Sequence, residues 1–81
     1  MNKRIGVVAI IVENKESVEK VNKLLSEFAD SIVGRMGIPY KEKDVSVISI
    51  IVDGTNDEIG ALTGRLGRLD GVSVKSALTQ K

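Results

Sequence analysis

The side chains on which most metal sensors and many hydrolases depend are missing from this sequence, which contains no cysteine and no histidine. Disulfides, thiolate- or imidazole-based zinc and copper sites, and imidazole acid/base chemistry are therefore excluded. The acids best placed to hold a hard cation or move a proton are Asp53, Asp57 and Glu58. Turn and cap roles account for all three. Asp53-Gly54 closes an apolar run, and Thr55-Asn56-Asp57-Glu58 has capping-box spacing, in which a Thr hydroxyl and a Glu carboxylate satisfy orphan backbone donors at a helix start. No nucleophile is paired with a base. These residues predict a protein that is not an enzyme and carries neither metal nor cofactor.

Binding chemistry has more candidates. Val33-Gly34-Arg35-Met36-Gly37-Ile38 resembles the GXXG loop with which KH domains clamp a nucleic-acid backbone. That loop joins two helices, whereas here Pro39 follows and disfavours a helix, so a strand with bulge-forming glycines is the better reading. Arg35 has the chemistry to hold an anion or a carboxylate across an interface, although a solvated surface arginine is the plainer account. Gly60, Gly64, Gly67 and Gly71 fall close together on one helical face, opposite Ile59, Leu62, Leu66 and Leu69. Each interior glycine costs about 1 kcal/mol relative to alanine. Either a partner or ligand approaches this bare face closely, or the helix is a tolerated, somewhat flexible surface element.

The elements that position these residues follow from hydrophobic periodicity. Ile5 to Val12 is a β-branched apolar run and reads as a buried strand. From Lys15, with Asn14 as expected N-cap, Val18, Val21, Leu24, Leu25, Phe28, Ala29 and Ile32 recur at helical steps. Glu16 with Lys20 and Glu19 with Lys23 are acid-before-base pairs one turn apart. Ile32 to Ile38, ahead of Pro39, predicts a short edge strand. After the polar connection Tyr40 to Asp44, Val45 to Val52 is a further strand that pairs with it as a hairpin. A helix from Asn56 to about Leu69 follows. Asp70-Gly71 ends it with a glycine suited to the left-handed conformation, and Val72 to Thr79 is the last strand.

Strand, helix, strand, strand, helix, strand is the split βαβ arrangement, predicting an α+β, ferredoxin-like βαββαβ sandwich with one domain over residues 1–81. In that architecture both helices cover one sheet face and the other should be polar. Yet Ile5, Val7, Ala9 and Ile11 alternate with Gly6, Val8, Ile10 and Val12, so both faces of the first strand are apolar. Val45, Val47 and Ile51 likewise oppose Ile48, Ile50 and Val52, interrupted by Ser46 and Ser49. A monomer would expose an apolar patch larger than such proteins normally leave open, which predicts a homo-oligomer built through the sheet.

With twelve Lys plus Arg against eleven Asp plus Glu among 81 residues, the net charge is +1 and draws in neither nucleic acid nor anionic membrane. The basic start Met1-Asn2-Lys3-Arg4 precedes an apolar run that ends at Glu13, too short for a membrane span and without a small-residue cleavage site. The expectation is a cytoplasmic protein. RNA-recognition domains stack bases on sheet aromatics, but Phe28 sits in a helical stripe and Tyr40 in a connection. Copper chaperones of this topology need paired cysteines, and acylphosphatases need an anion-cradling loop where this chain has Glu13-Asn14-Lys15.

Taken together, Arg4-Ile5-Gly6-Val7-Val8, Gly34-Arg35-Met36-Gly37-Ile38-Pro39-Tyr40, Ile51-Val52-Asp53-Gly54-Thr55 and Gly64-Arg65-Leu66-Gly67-Arg68-Leu69 resemble the small regulators assigned to the iron-only hydrogenase system. The resemblance spans essentially the whole chain. It implies a fold similar to ACT domains and to the C-terminal domain of the nickel-responsive repressor, which assemble through their sheets and bind small effectors. Nickel sensing does not carry over, because the His and Cys ligands are absent, and no DNA-reading ribbon segment precedes the first strand. ACT domains bind amino acids near a glycine after the first strand, where this chain has Glu13-Asn14. The resemblance implies a regulatory module that binds a small effector at a subunit interface, with Asn14 and the segment Gly34, Arg35, Met36 and Gly37 as candidate effector-binding residues. The alternative is a protein-interaction subunit without a small ligand, docking by its apolar sheet or glycine face. Nucleic-acid binding through Gly34 to Gly37 is a distant third.

Overall fold

The computed structural model describes residues 3–79; Met1, Asn2, Gln80 and Lys81, the ends of the domain predicted over 1–81, lie outside the described residues. Its elements are β1 (Arg4–Val12), α1 (Ser17–Glu27), β2 (Ile32–Tyr40), β3 (Val45–Gly54), α2 (Asn56–Gly67) and β4 (Val72–Leu78), with 3₁₀ turns at Ala29–Ser31 and Lys41–Lys43. The sheet runs β2-β3-β1-β4 and is antiparallel throughout, the ferredoxin-like order expected from the split βαβ pattern. Among the described residues no helix is long and apolar enough to cross a membrane.

The core lies between one sheet face and the two helices. Val8, Ile10 and Val12 of β1 and Ile48, Ile50 and Val52 of β3 meet Val21, Leu24 and Leu25 of α1 and Ile59, Leu62 and Leu66 of α2. Register explains which residues share that face, because residues directly opposite in an antiparallel pair point the same way. Ile10 opposes Ile48 and Val8 opposes Ile50, so the buried residues of the two central strands form one continuous layer.

Several boundaries differ from the sequence reading. Asn14 is not the N-cap of α1; Glu16 holds that position, without a side-chain cap. Asn14 instead accepts the Glu16 N–H at 3.0 Å, closing a turn just ahead of the helix. The apolar stripe runs on through Phe28, Ala29 and Ile32, but α1 stops at Glu27, because Ala29–Ser31 tightens into a 3₁₀ turn and Ile32 pairs with Val52. A core-facing residue can thus continue a helical spacing while belonging to a strand. Helix α2 ends at Gly67 rather than near Leu69, and β4 ends at Leu78. Gly71 takes the expected left-handed conformation, φ 69°, but lies beyond the helix and not on its glycine face. The edge strand β2 is longer than expected and includes Pro39 and Tyr40, as an edge strand permits.

The capping box is present at α2. Thr55 Oγ1 accepts the Glu58 N–H at 3.1 Å while the Thr55 N–H donates to Glu58 Oε1 at 2.8 Å. The pairs Glu16–Lys20 and Glu19–Lys23 are absent from the ion pairs of the described residues. Exposed pairs of this kind are worth only a few tenths of a kcal/mol and compete with side-chain freedom.

Candidate functional site

The segment Gly34 to Gly37 is strand, not a loop between helices. It belongs to β2, with a register shift between Ile32 and Gly34 that leaves Val33 outside the ladder as a bulge residue. Strand alternation then separates its two central side chains. Arg35 opposes Ile50 on the helix-covered face and donates from Nη2 to Asn22 Oδ1 of α1 at 2.9 Å. Met36 opposes Ser49 on the uncovered face and is 65% exposed. A Cβ added at Gly34 would meet nothing within 4 Å, and one at Gly37 only the Ile48 side chain at 3.8 Å. Because β2 is an edge strand, this stretch offers backbone groups and open space together.

Asn14 is elsewhere. It follows β1 at the end where Val12 opposes Ser46, while Gly34 lies in the row of Ile51 and Val7 near the other end of the sheet. The candidate residues therefore do not converge within one chain. Asn14 Nδ2 donates to Asp70 Oδ2 at 2.6 Å, so its side chain also ties the β1–α1 loop to the turn before β4. Ser17, which the sequence reading did not single out, is buried here and donates from Oγ to the Asp70 carbonyl at 2.7 Å.

Beside Asn14 there is a groove of about 430 Å³ between the start of α1 and the β2–β3 hairpin tip. Val12, Val18, Pro39 and Val45 supply apolar wall, and Lys15, Tyr40, Lys41 and Asp44 the polar rim. Lys15 Nζ and Asp44 Oδ1 form an exposed ion pair at 3.1 Å across it. Asp44 adopts φ 55°, a left-handed conformation that aspartate tolerates better than most residues, and this turns the hairpin. The groove thus presents the Lys15–Asp44 pair and a second cation, Lys41, beside an apolar wall. Sequence reasoning missed it because its walls come from four separate elements, β1, α1, β2 and β3.

The uncovered sheet face is largely apolar, interrupted by Ser49 on β3 and by Lys75 and Ser73 on β4. One row is Ala77, Val7, Ile51 and Gly34, the next Lys75, Ala9, Ser49 and Met36, and the third Ser73, Ile11, Val47 and Ile38. Val7, Ile11 and Ile51 are each more than 40% exposed. Among the described residues no cluster of acidic side chains could hold a metal ion.

Comparison with known proteins agrees with this architecture. A family model described as TM1266-like, a proposed regulator of the iron-only hydrogenase system, matches residues 4–76. The structure of the uncharacterized protein TM1266 from Thermotoga maritima superposes with a TM-score of 0.93 at 35% identity, covering 98% of this chain and 100% of that one. At the level of fold, the C-terminal domain of MgtC from Mycobacterium tuberculosis gives a TM-score of 0.74 at 15% identity over 95% of this chain and 88% of that one. CPII from Thiomonas intermedia K12, a nitrogen regulatory PII-like protein, gives 0.53 at 18% identity over 94% and 91%. No curated protein sequence matches the chain significantly.

Proposed function

Because the chain belongs to the TM1266-like family of proposed iron-only hydrogenase system regulators, we propose that it acts as a homo-oligomeric, non-enzymatic regulatory module that binds a small effector at a subunit interface. The observation that carries this reading is the uncovered sheet face, where Val7, Ile11, Val47 and Ile51 of the two central strands stand exposed beside Met36 and Ile38 of the edge strand. Removing such surface from water is worth about 25 cal/mol per Å², so a second copy laid on this face gains what the monomer forgoes. The effector site in this proposal is the groove next to Asn14, where the Lys15–Asp44 pair offers complementary charges to a small polar ligand. The open backbone of Gly34 to Gly37 lies at the border of the self-association face and contributes from the sheet edge. A cytoplasmic location belongs to the proposal.

Two measurements test it. Light scattering should show a dimer or larger species at micromolar concentration, and a monomer at high micromolar concentration overturns the reading. A thermal-shift screen of amino acids, nucleotides and metal ions should return a ligand that raises the melting temperature, since binding at a hundredfold excess over Kd adds about 2.7 kcal/mol to the folded state. That shift should shrink in Lys15→Ala. An oligomer with no hit instead supports a protein-interaction subunit without a small ligand.

A further inference from the structure

The seam between the two helices is cationic. Lys20 and Lys23 of α1, Arg65 of α2 and Arg68 at the C-cap of α2 line an open groove of about 330 Å³, with Leu24 and Leu69 among its apolar lining. Lys20 and Lys23 stand three positions apart on one face of α1, the αR backbone of Arg68 extends the turn that carries Arg65, and the packing of α1 beside α2 turns both pairs to the same groove. Glu27 is the one carboxylate in the lining. Arg65 Nη2 donates to its Oε1 at 3.3 Å, and the Arg65 guanidinium stands 5.8 Å from the Phe28 ring centroid. Lys20, Lys23 and Arg68 take part in neither of the ion pairs formed among the described residues. The whole chain carries a net charge of only +1, so four cations facing one carboxylate is a local concentration of charge rather than general basicity.

Next to Arg68, the outer face of α2 is bare: a Cβ added at Gly60, Gly64 or Gly67 would meet nothing within 4 Å. That strip faces away from Leu69 and does not line the groove, whose apolar contacts are Leu24 and Leu69. We propose that the α1–α2 groove docks an acidic amphipathic helix of a partner protein. Its apolar residues would lie over Leu24 and Leu69, and its carboxylates would face Lys20, Lys23 and Arg68. Charge complementarity and the apolar contacts of Leu24 and Leu69 together specify this occupant, since a free inorganic anion has no use for the leucines. The groove lies on the helix layer, on the opposite side of the molecule from the sheet face assigned to self-association.

The probe is a fluorescein-labelled amphipathic peptide with leucine on one face and glutamate on the other, titrated by anisotropy and mapped by amide chemical shifts. It should bind the wild-type protein in a salt-sensitive manner, with shifts confined to α1 and α2. Lys23→Glu/Arg68→Glu should weaken binding by at least about tenfold. Lys23→Gln/Arg68→Gln should weaken it less but in the same direction, and Lys43→Glu, away from the groove, should leave it unchanged. Absence of binding, shifts that map to the sheet, or equal loss in Lys43→Glu would overturn the proposal. So would tripolyphosphate occupying the groove while the peptide does not. Light scattering on the same variants should show unchanged mass, which keeps failure here separate from failure of the oligomer reading.

Discussion

Asn14 and Asp70 join the two loops at one end of the sheet, with Asn14 Nδ2 donating to Asp70 Oδ2 at 2.6 Å. Around that bond the Glu13 N–H donates to the Gly71 carbonyl at 2.7 Å and Ser17 Oγ to the Asp70 carbonyl at 2.7 Å. The loop that leaves β1 is thus fastened to the turn that enters β4. This contact needs a close approach at Gly71, and it holds Lys15 where it reaches Asp44.

The first prediction concerns that approach. Gly71 has φ 69°, and an added Cβ would lie 2.8 Å from Asn14 Cβ and 2.9 Å from Asn14 N. Gly71→Ala should therefore destabilise by more than about 1 kcal/mol, because both the backbone conformation and the space oppose it. Gly64→Ala, in open space on α2, should stabilise by roughly 0.5–1 kcal/mol. Urea midpoints at unchanged slope measure both, and a neutral Gly71→Ala would refute the assignment.

The second uses Ile48 and Ile51, three positions apart on β3 but on opposite faces, 5% and 45% exposed respectively. Ile48→Lys buries an unpaired charge in the core and should abolish the folded circular-dichroism signal. Ile51→Lys should stay folded and shift light scattering toward smaller species. An unchanged mass for Ile51→Lys would remove the uncovered face from the interface.

The third is a pH dependence. The Thr55 backbone N–H, followed by the Thr55 hydroxyl, holds the Glu58 carboxyl below the ordinary glutamate value. A carboxyl whose pKa is depressed in the folded state contributes stability that is present above the unfolded pKa and is lost as pH falls through the folded one. Glu58→Gln should therefore lose less stability than wild type as pH is lowered below about 4.3, the unperturbed glutamate value. Urea midpoints compared at neutral and acid pH measure the difference. Equal acid sensitivity in the two proteins would mean that the cap carboxylate is not linked to folding.

The fourth follows from composition. With no histidine or cysteine, and no acidic cluster able to hold a metal among the described residues, nickel and zinc should bind neither tightly nor stoichiometrically. Calorimetry with either ion checks this, and a stoichiometric isotherm at low micromolar Kd would contradict it.

Much of the architecture was legible because it is local. β-Branched runs specify strands through packing on a pleated surface, the three- and four-residue apolar steps specify helices, and Thr55 with Glu58 marks a helix start by a hydrogen-bond pattern confined to four residues. The apolar character of both sheet faces was equally readable, since alternation along β1 and β3 sorts their residues into two sets. The family resemblance rested on such local segments as well, and the whole-chain comparison agrees with it.

Which of those sets is buried was decided by the packing of α1 and α2, a choice that no single strand contains: Ile48 went under the helices and Ile51 to the open face. The same tertiary step sent Arg35 to Asn22 and left Met36 outward. It also moved Asn14 from the helix cap expected of it to a bond with Asp70, and brought Lys20 and Lys23 beside Arg65 and Arg68. Each of these is a relationship between residues far apart in the chain, and periodicity reports only what a residue shares with its near neighbours. The sequence by itself determined the elements and their apolar faces; the docking of two helices on one side of a four-stranded sheet decided which side chains became core and which became surface.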